Sequence, residues 1–240
     1  MVIQVWTNTC CSHPLHGMDK NEVDTPADVA NGTVPGVKNA AVRKLDHELG
    51  IPANELPVGK FKFLTRLHYW AADTVTHGGD RYVANCCFAL IVTYVPCVVL
   101  FLIGSFRDLH FFFSLISPWG EHEIDYVLFF TVAKQSDLTL KPHPEEVDDV
   151  KWVSKEELKE MMNDKSLLFS PWFRLICYKW LLPCWWNDLN ETMTTDKHCD
   201  FVSIHEFDPP VEHLGGGGKA GPMFDSEMKT VVNGFDQRLV

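Results

Sequence analysis

An excess of basic residues is missing from this sequence. Its 21 Lys and Arg stand against 32 Asp and Glu, for a formal net charge of −11. Phosphate repels such a surface, so non-specific nucleic-acid binding is excluded as the main business of the chain. A small anionic substrate stays open, because a few local cations or a bridging divalent metal suffice to hold one. No CxxC…CxxC pattern exists among the eight cysteines, which removes the usual structural zinc site. The adjacent pairs Cys10-Cys11 and Cys86-Cys87 are awkward for ordinary disulfides. Met1 to Thr9 has neither a basic start nor a long apolar stretch, so no secretory leader is read there. A reduced, cytoplasmic compartment is the expectation. There is no internal repeat, and Gly215-Gly216-Gly217-Gly218-Lys219-Ala220 lacks both the Lys-Ser/Thr ending and the preceding strand of a phosphate loop.

What is present is enough for one folded domain. The 240 residues are 46% hydrophobic, which excludes a disordered polymer. Val2 to Trp6 reads as a short strand and 16–35 as a polar loop. Val37, Ala41, Leu45 and Leu49 recur every four residues, which predicts one apolar helix stripe closed by Gly50. Phe61 to Trp70 and Ile124 to Ala133 read as strands, and Pro142 to Asp149 as an acidic loop. Ser154-Lys155-Glu156-Glu157 has capping-box form and opens a helix through about Met162. Pro171 to Trp186 reads as helix. The fold class is α/β (α+β), with residues 1–78 and 118–195 as one domain and 196–240 as a poorly ordered tail.

Residues 79–117 do not fit their surroundings. Ala84 to Phe106 is a run of about 23 residues with no charge, the length of a membrane-spanning helix. It reads as a membrane span, as a buried core segment, or as translated intron. The third is favoured, because Phe, Leu, Val, Ser and Cys are what pyrimidine-rich codons produce, and Phe111-Phe112-Phe113-Ser114-Leu115 sits before an abrupt return to ordinary sequence. Membrane association is expected only through 84–106.

Four constellations can carry chemistry. Cys11 lies two residues from His13, and positive charge near a thiol favours the reactive thiolate; the plainer reading is a small buried cysteine beside an incidental histidine. Glu121 and Glu123 are two apart, so on a strand they share a face. Close carboxylates share a proton or bind a cation; a solvated strand start is the alternative. Glu48 sits on the last helical turn, where the dipole disfavours an acid, and residues placed against local preference are often functional. The plainer reading is an ordinary charged face with a Lys44/Glu48 pair at i,i+4, in the less favourable order. Trp172 offers a face that stabilises a cation in a dry pocket, although core packing is the commoner role of a tryptophan.

Taken together and in order, these strings resemble one family. Thr7-Asn8-Thr9-Cys10-Cys11-Ser12-His13-Pro14-Leu15, Glu48-Leu49-Gly50-Ile51, Leu64-Thr65-Arg66-Leu67-His68-Tyr69, Trp119-Gly120-Glu121-His122-Glu123-Ile124-Asp125-Tyr126, Val153 to Leu158 and Pro171-Trp172-Phe173 are similar to the successive motifs of type I isopentenyl-diphosphate delta-isomerases. The resemblance covers most of 6–78 and 118–190. It implies a Nudix-like mixed-sheet sandwich and reversible conversion of isopentenyl diphosphate to dimethylallyl diphosphate, a step of isoprenoid and sterol biosynthesis. It implies Cys11, Glu123 and Tyr69 as catalytic residues, and Ser12, Lys44 and Trp172 as substrate contacts. His13, Glu121 and Glu123 would hold a first divalent metal, Mg2+, Mn2+ or Zn2+, and Glu48 a second Mg2+.

The family also carries two metal-binding histidines and several diphosphate-gripping Lys and Arg upstream of the cysteine motif, where six residues precede Thr7 here. The chain therefore reads as amino-terminally truncated, with an insertion at 79–117, and little or no isomerase activity is expected of it. The rival readings are a Nudix-type diphosphate hydrolase and a non-catalytic, membrane-associated fragment. Arg43-Lys44-Leu45-Asp46-His47-Glu48 supplies fewer acids than the hydrolase motif asks for.

Overall fold

A computed structural model describes residues 5–72, 78–93, 97–103, 119–164, 166–208 and 231–233. Ten strands join in one mixed sheet: β1 Val5–Thr7, β2 Cys10–Ser12, β3 Lys62–Ala72, β4 Gly78–Thr93, β5 Cys97–Ile103, β6 Trp119–Val132, β7 Asp149–Ser154, β8 Leu168–Phe169, β9 Ile204–Asp208 and β10 Val231–Asn233. Their order is β10-β9-β3-β6-β4-β5-β1-β8, with β2 paired to β4 and β7 to β5. Helices α1 Pro26–Ala30, α2 Pro35–Leu49, α3 Lys155–Asn163, α4 Pro171–Ile176 and α5 Leu189–Thr194 complete the α+β architecture.

Strand alternation divides the interior into two cores. Along β6, Val127 and Phe129 join one cluster with Leu67, Trp172, Phe173, Trp180 and Trp185. Leu128, Phe130 and Val132 join the other, with Val37, Ala41, Leu45 and Leu49 of α2. The apolar stripe at four-residue spacing is thus the buried face of α2. Alternation puts Phe63 with the α2 cluster and Leu64 with the tryptophan cluster, and a bulge between Phe63 and Thr65 lets Leu67, three residues on, join the same cluster as Leu64.

The termini of the helices follow their local signals. Ser154 caps α3, and Glu157 returns the capping box. Helix α2 ends at Gly50, whose φ of 59° is the left-handed conformation that glycine tolerates best. Its start is capped from a distance, because Asp24 Oδ1 accepts from Gly36 N at 2.6 Å and Oδ2 from Val37 N at 3.0 Å. The loop read over 16–35 contains the single-turn helix α1, opened by the Thr25/Asp28 capping box.

Three segments differ from the sequence reading. After α4 the chain winds into π-helical turns over Cys177–Trp185, which include Pro183. Proline has no N–H to give to a preceding turn, so regular α-helical bonding cannot run through this point. The beginning of the expected tail joins the sheet instead. Asp200 N donates to Leu64 O at 2.7 Å, Phe201 stacks on Phe63, and β9 runs parallel to β3. These long-range contacts leave no local periodicity to read. Within 79–117, β4 pairs with β6 over most of its length and β5 pairs with β1 and β7. Among the described residues no helix is long and apolar enough to cross a membrane. Residues 94–96, 104–118 and the glycine run at 215–218 lie outside the described residues.

Candidate active site

The cysteine strand lies against α2. Cys10 and Ser12 are buried on that side, and Ser12 Oγ donates to Ala40 O at 3.3 Å. Alternation sets Cys11 on the other side of the strand, half-buried. Arg43 closes the corner. Its Nε donates to Glu22 Oε1 at 2.7 Å, and its Nη2 to Glu22 Oε2 at 3.0 Å, to His13 O at 3.0 Å and to Ser12 Oγ at 3.3 Å. Glu22 is 2% exposed. Burial pushes its pKa up, but the Arg43 guanidinium and the Leu15 N–H outweigh this and hold it below the usual glutamate value. One paired charge thereby anchors the backbone at His13, whose side chain is exposed.

Next to Arg43 on α2, Lys44 Nζ sits 2.9 Å from Glu48 Oε1, one turn on, and 3.9 Å from Glu146 Oε2. Burial raises the Glu48 carboxyl to about 7, against the opposing pull of Lys44.

The tryptophan motif meets the cysteine motif through a buried polar network. Trp172 Nε1 donates to Asn8 Oδ1 at 3.0 Å, and the Thr7 hydroxyl donates to the same oxygen at 2.8 Å. Thr7 and Ser170 hydroxyls are 2.7 Å apart, and Asn8 Nδ2 donates to Cys10 O. Trp172 is 7% exposed and Asn8 is fully buried.

Tyr69, Glu121 and Glu123 are placed by backbone register. Tyr69 stands opposite Glu123 in the β3/β6 pairing, and Ala71 opposite Glu121. Cys11 pairs with Phe88 of β4, and Phe88 with Val127 of β6. Glu123 therefore lies two strands across and four residues along from Cys11. At ~4.8 Å per strand and ~3.3 Å per residue, their backbones are roughly 16 Å apart. His13, beyond the end of β2, is likewise separated from Glu121 and Glu123 by β4. The structure sets Ser12 against α2, which carries Lys44 and Glu48, while Cys11 faces the other side of β2 and His13 follows its end; Asn8 ties Trp172 to the Cys10 carbonyl. The fold leaves Tyr69, Glu121 and Glu123 together on the far side of β4.

Several residues here escape a reading by motif. Glu22 and Arg43 are an unremarkable acid and base in sequence, 21 positions apart. Asn8 is visible only as part of a motif string. At the other end of the tryptophan core, Asp188, Glu191 and His198 offer ligand atoms within 4.8 Å of one another, a set that could hold a metal ion. Their i,i+3 spacing on a helix is legible for the two acids, but not for the histidine. Lys197 already pairs with both carboxylates, at 2.5 Å from Glu191 and 3.7 Å from Asp188.

No protein-family model matches the chain. Individual relatives do. An isopentenyl-diphosphate delta-isomerase of Schizosaccharomyces pombe is 39% identical over 186 residues, covering 78% of this chain and 58% of the relative. One of Candida albicans is 39% identical over 192 residues, covering 78% and 53%. The chloroplastic isopentenyl-diphosphate delta-isomerase I of Arabidopsis thaliana is 33% identical over 207 residues, covering 84% and 52%. The chain thus spans a little over half the length of the curated relatives it matches. Fungal and plant sequences agree on one name, over a span that takes in most of the chain: it is a relative of the isopentenyl-diphosphate delta-isomerases.

Proposed function

We propose that this chain interconverts isopentenyl and dimethylallyl diphosphate, with low turnover in the arrangement described. The observation that carries this reading is the hydrogen bond from Trp172 to Asn8, which joins two motif strings 164 residues apart in sequence. Shared identity to enzymes of that name supports it. The fold assignment that goes with it is a Nudix-like sandwich.

The substrate alkene is unactivated. It must gain a proton to become a tertiary carbocation and then lose one from the neighbouring carbon, which demands an acid and a base around a dry pocket. Glu123, assisted by Tyr69, is assigned protonation and Cys11 deprotonation in the forward direction; the reverse reaction exchanges the roles. Trp172 faces the cation, while Ser12 and Lys44 contact the diphosphate end. Glu48 would hold Mg2+ against the diphosphate and so neutralise its charge. For the first metal the resemblance names His13, Glu121 and Glu123. Strand β4 lies between the backbone position of His13 and those of the two glutamates. The same separation of Cys11 from Glu123 is the reason for low turnover, since acid and base must both reach one five-carbon unit.

The test is the purified chain with isopentenyl diphosphate and Mg2+, following double-bond migration and phosphate release. Slow migration that Cys11→Ala abolishes supports the reading. Pyrophosphate release without migration, or migration indifferent to Cys11→Ala, overturns it.

A further inference from the structure

We propose that Asn8 is a positioning residue for the indole of Trp172, acting on the ring that faces the carbocation; this rests on the isomerase reading. Indole Nε1–H is a donor only, so it requires an acceptor when buried. Asn8 Oδ1 accepts it at 3.0 Å and also accepts the Thr7 hydroxyl at 2.8 Å. These two donors settle which end of the amide is oxygen. The other end, Nδ2, donates to the carbonyl of Cys10, one residue before the proposed base. Thr7 spends its only proton on Asn8, so Ser170 must donate across the 2.7 Å contact between the two hydroxyls. Ser170 N in turn donates to Trp6 O at 3.0 Å. The indole is held from both sides: by Asn8, between β1 and the cysteine strand, and by the backbone two residues before it.

Two physical consequences follow. The ring plane is locked relative to the strand that carries Cys11, without a charged group near the cation. An oxygen accepting from Nε1–H also pushes electron density into the ring, which strengthens its attraction for positive charge. Aspartate would put a net charge at a fully buried position. Alanine would leave the indole N–H and the Cys10 carbonyl without this amide.

The experiment compares two diphosphates of equal size by calorimetry on the full chain with Mg2+: one with a neutral branched alkyl tail, one with a tertiary ammonium at the branch point. Asn8→Ala should weaken the ammonium ligand about three- to tenfold and leave the neutral one unchanged. In a Trp172→Phe background the same substitution should cost nothing further. The Trp172 indole N–H resonance should shift upfield while those of the other tryptophans hold. Asn8→Ser, whose hydroxyl is too short to reach the indole, substitutes if the alanine variant does not fold and should show the same selective loss. Equal weakening of both ligands, or additive losses in the Phe background, overturns the role of Asn8 and leaves the isomerase reading standing. A parent chain that binds neither diphosphate removes both.

Discussion

A single carboxyl, Glu48, sets a pH dependence that can be worked out from its surroundings. Its folded-state value of about 7 lies above the ordinary glutamate value of 4.5. The folded protein therefore binds this proton more tightly than the unfolded chain. Stability from this group is fully present below about pH 4.5 and is lost as pH rises to about 7. The shift corresponds to a loss on the order of 3 kcal/mol. Urea unfolding at pH 5, 6, 7 and 8 should show the parent weakening with pH, and Glu48→Gln should flatten that slope and be the more stable protein at pH 8. Parallel slopes in the two proteins would refute the assignment. Glu22 behaves oppositely. Its folded pKa is depressed by Arg43, so its contribution is present above the unfolded value and lost as pH falls through the folded one.

Helix α2 depends on how its last turn is closed. The carbonyls of Glu48 and Leu49 accept from His143 N at 2.8 Å and Lys141 N at 2.7 Å, so the loop after β6 caps the helix. A Cβ on Gly50 would lie 2.6 Å from the Lys141 carbonyl oxygen, in a backbone conformation already unfavourable for side chains. Gly50→Ala should cost about 1–3 kcal/mol, from left-handed strain and the displaced capping loop together. The expected result is a fall in Tm and, under the role proposed for Glu48, weaker Mg2+ binding, because Glu48 sits on the loosened turn. An unchanged Tm would mean that the loop yields without cost.

Across the whole molecule, β4 is the strand on which the two halves of the proposed site are hung. It pairs with β2 through Cys10, Cys11 and Ser12 and with β6 from Trp119 to Val132. A proline here removes a ladder hydrogen bond and kinks an interior strand. Phe88→Pro should therefore cost at least about 1–3 kcal/mol, the penalty for leaving a ladder partner unpaired. Hydrogen exchange should accelerate at amides of both β2 and β6, 116 positions apart at Cys11 and Val127. Acceleration confined to one of them would show that β4 does not couple the two strands.

Local order was legible in the sequence wherever chain neighbours alone decide it. The four-residue stripe of α2, Gly50 at its end, the Ser154 capping box and the apolar run of β6 each follow from backbone geometry acting over a few residues. Motif strings likewise disclosed the lineage and the residues to watch. Only the tertiary structure decided what those residues meet. The Glu22–Arg43 clamp, the Asn8–Trp172 bond, the pairing of β9 with β3 and the position of β4 between Cys11 and Glu123 all join segments distant in the chain. Such contacts depend on which surfaces the cores bring together, and a linear pattern records only what each residue prefers.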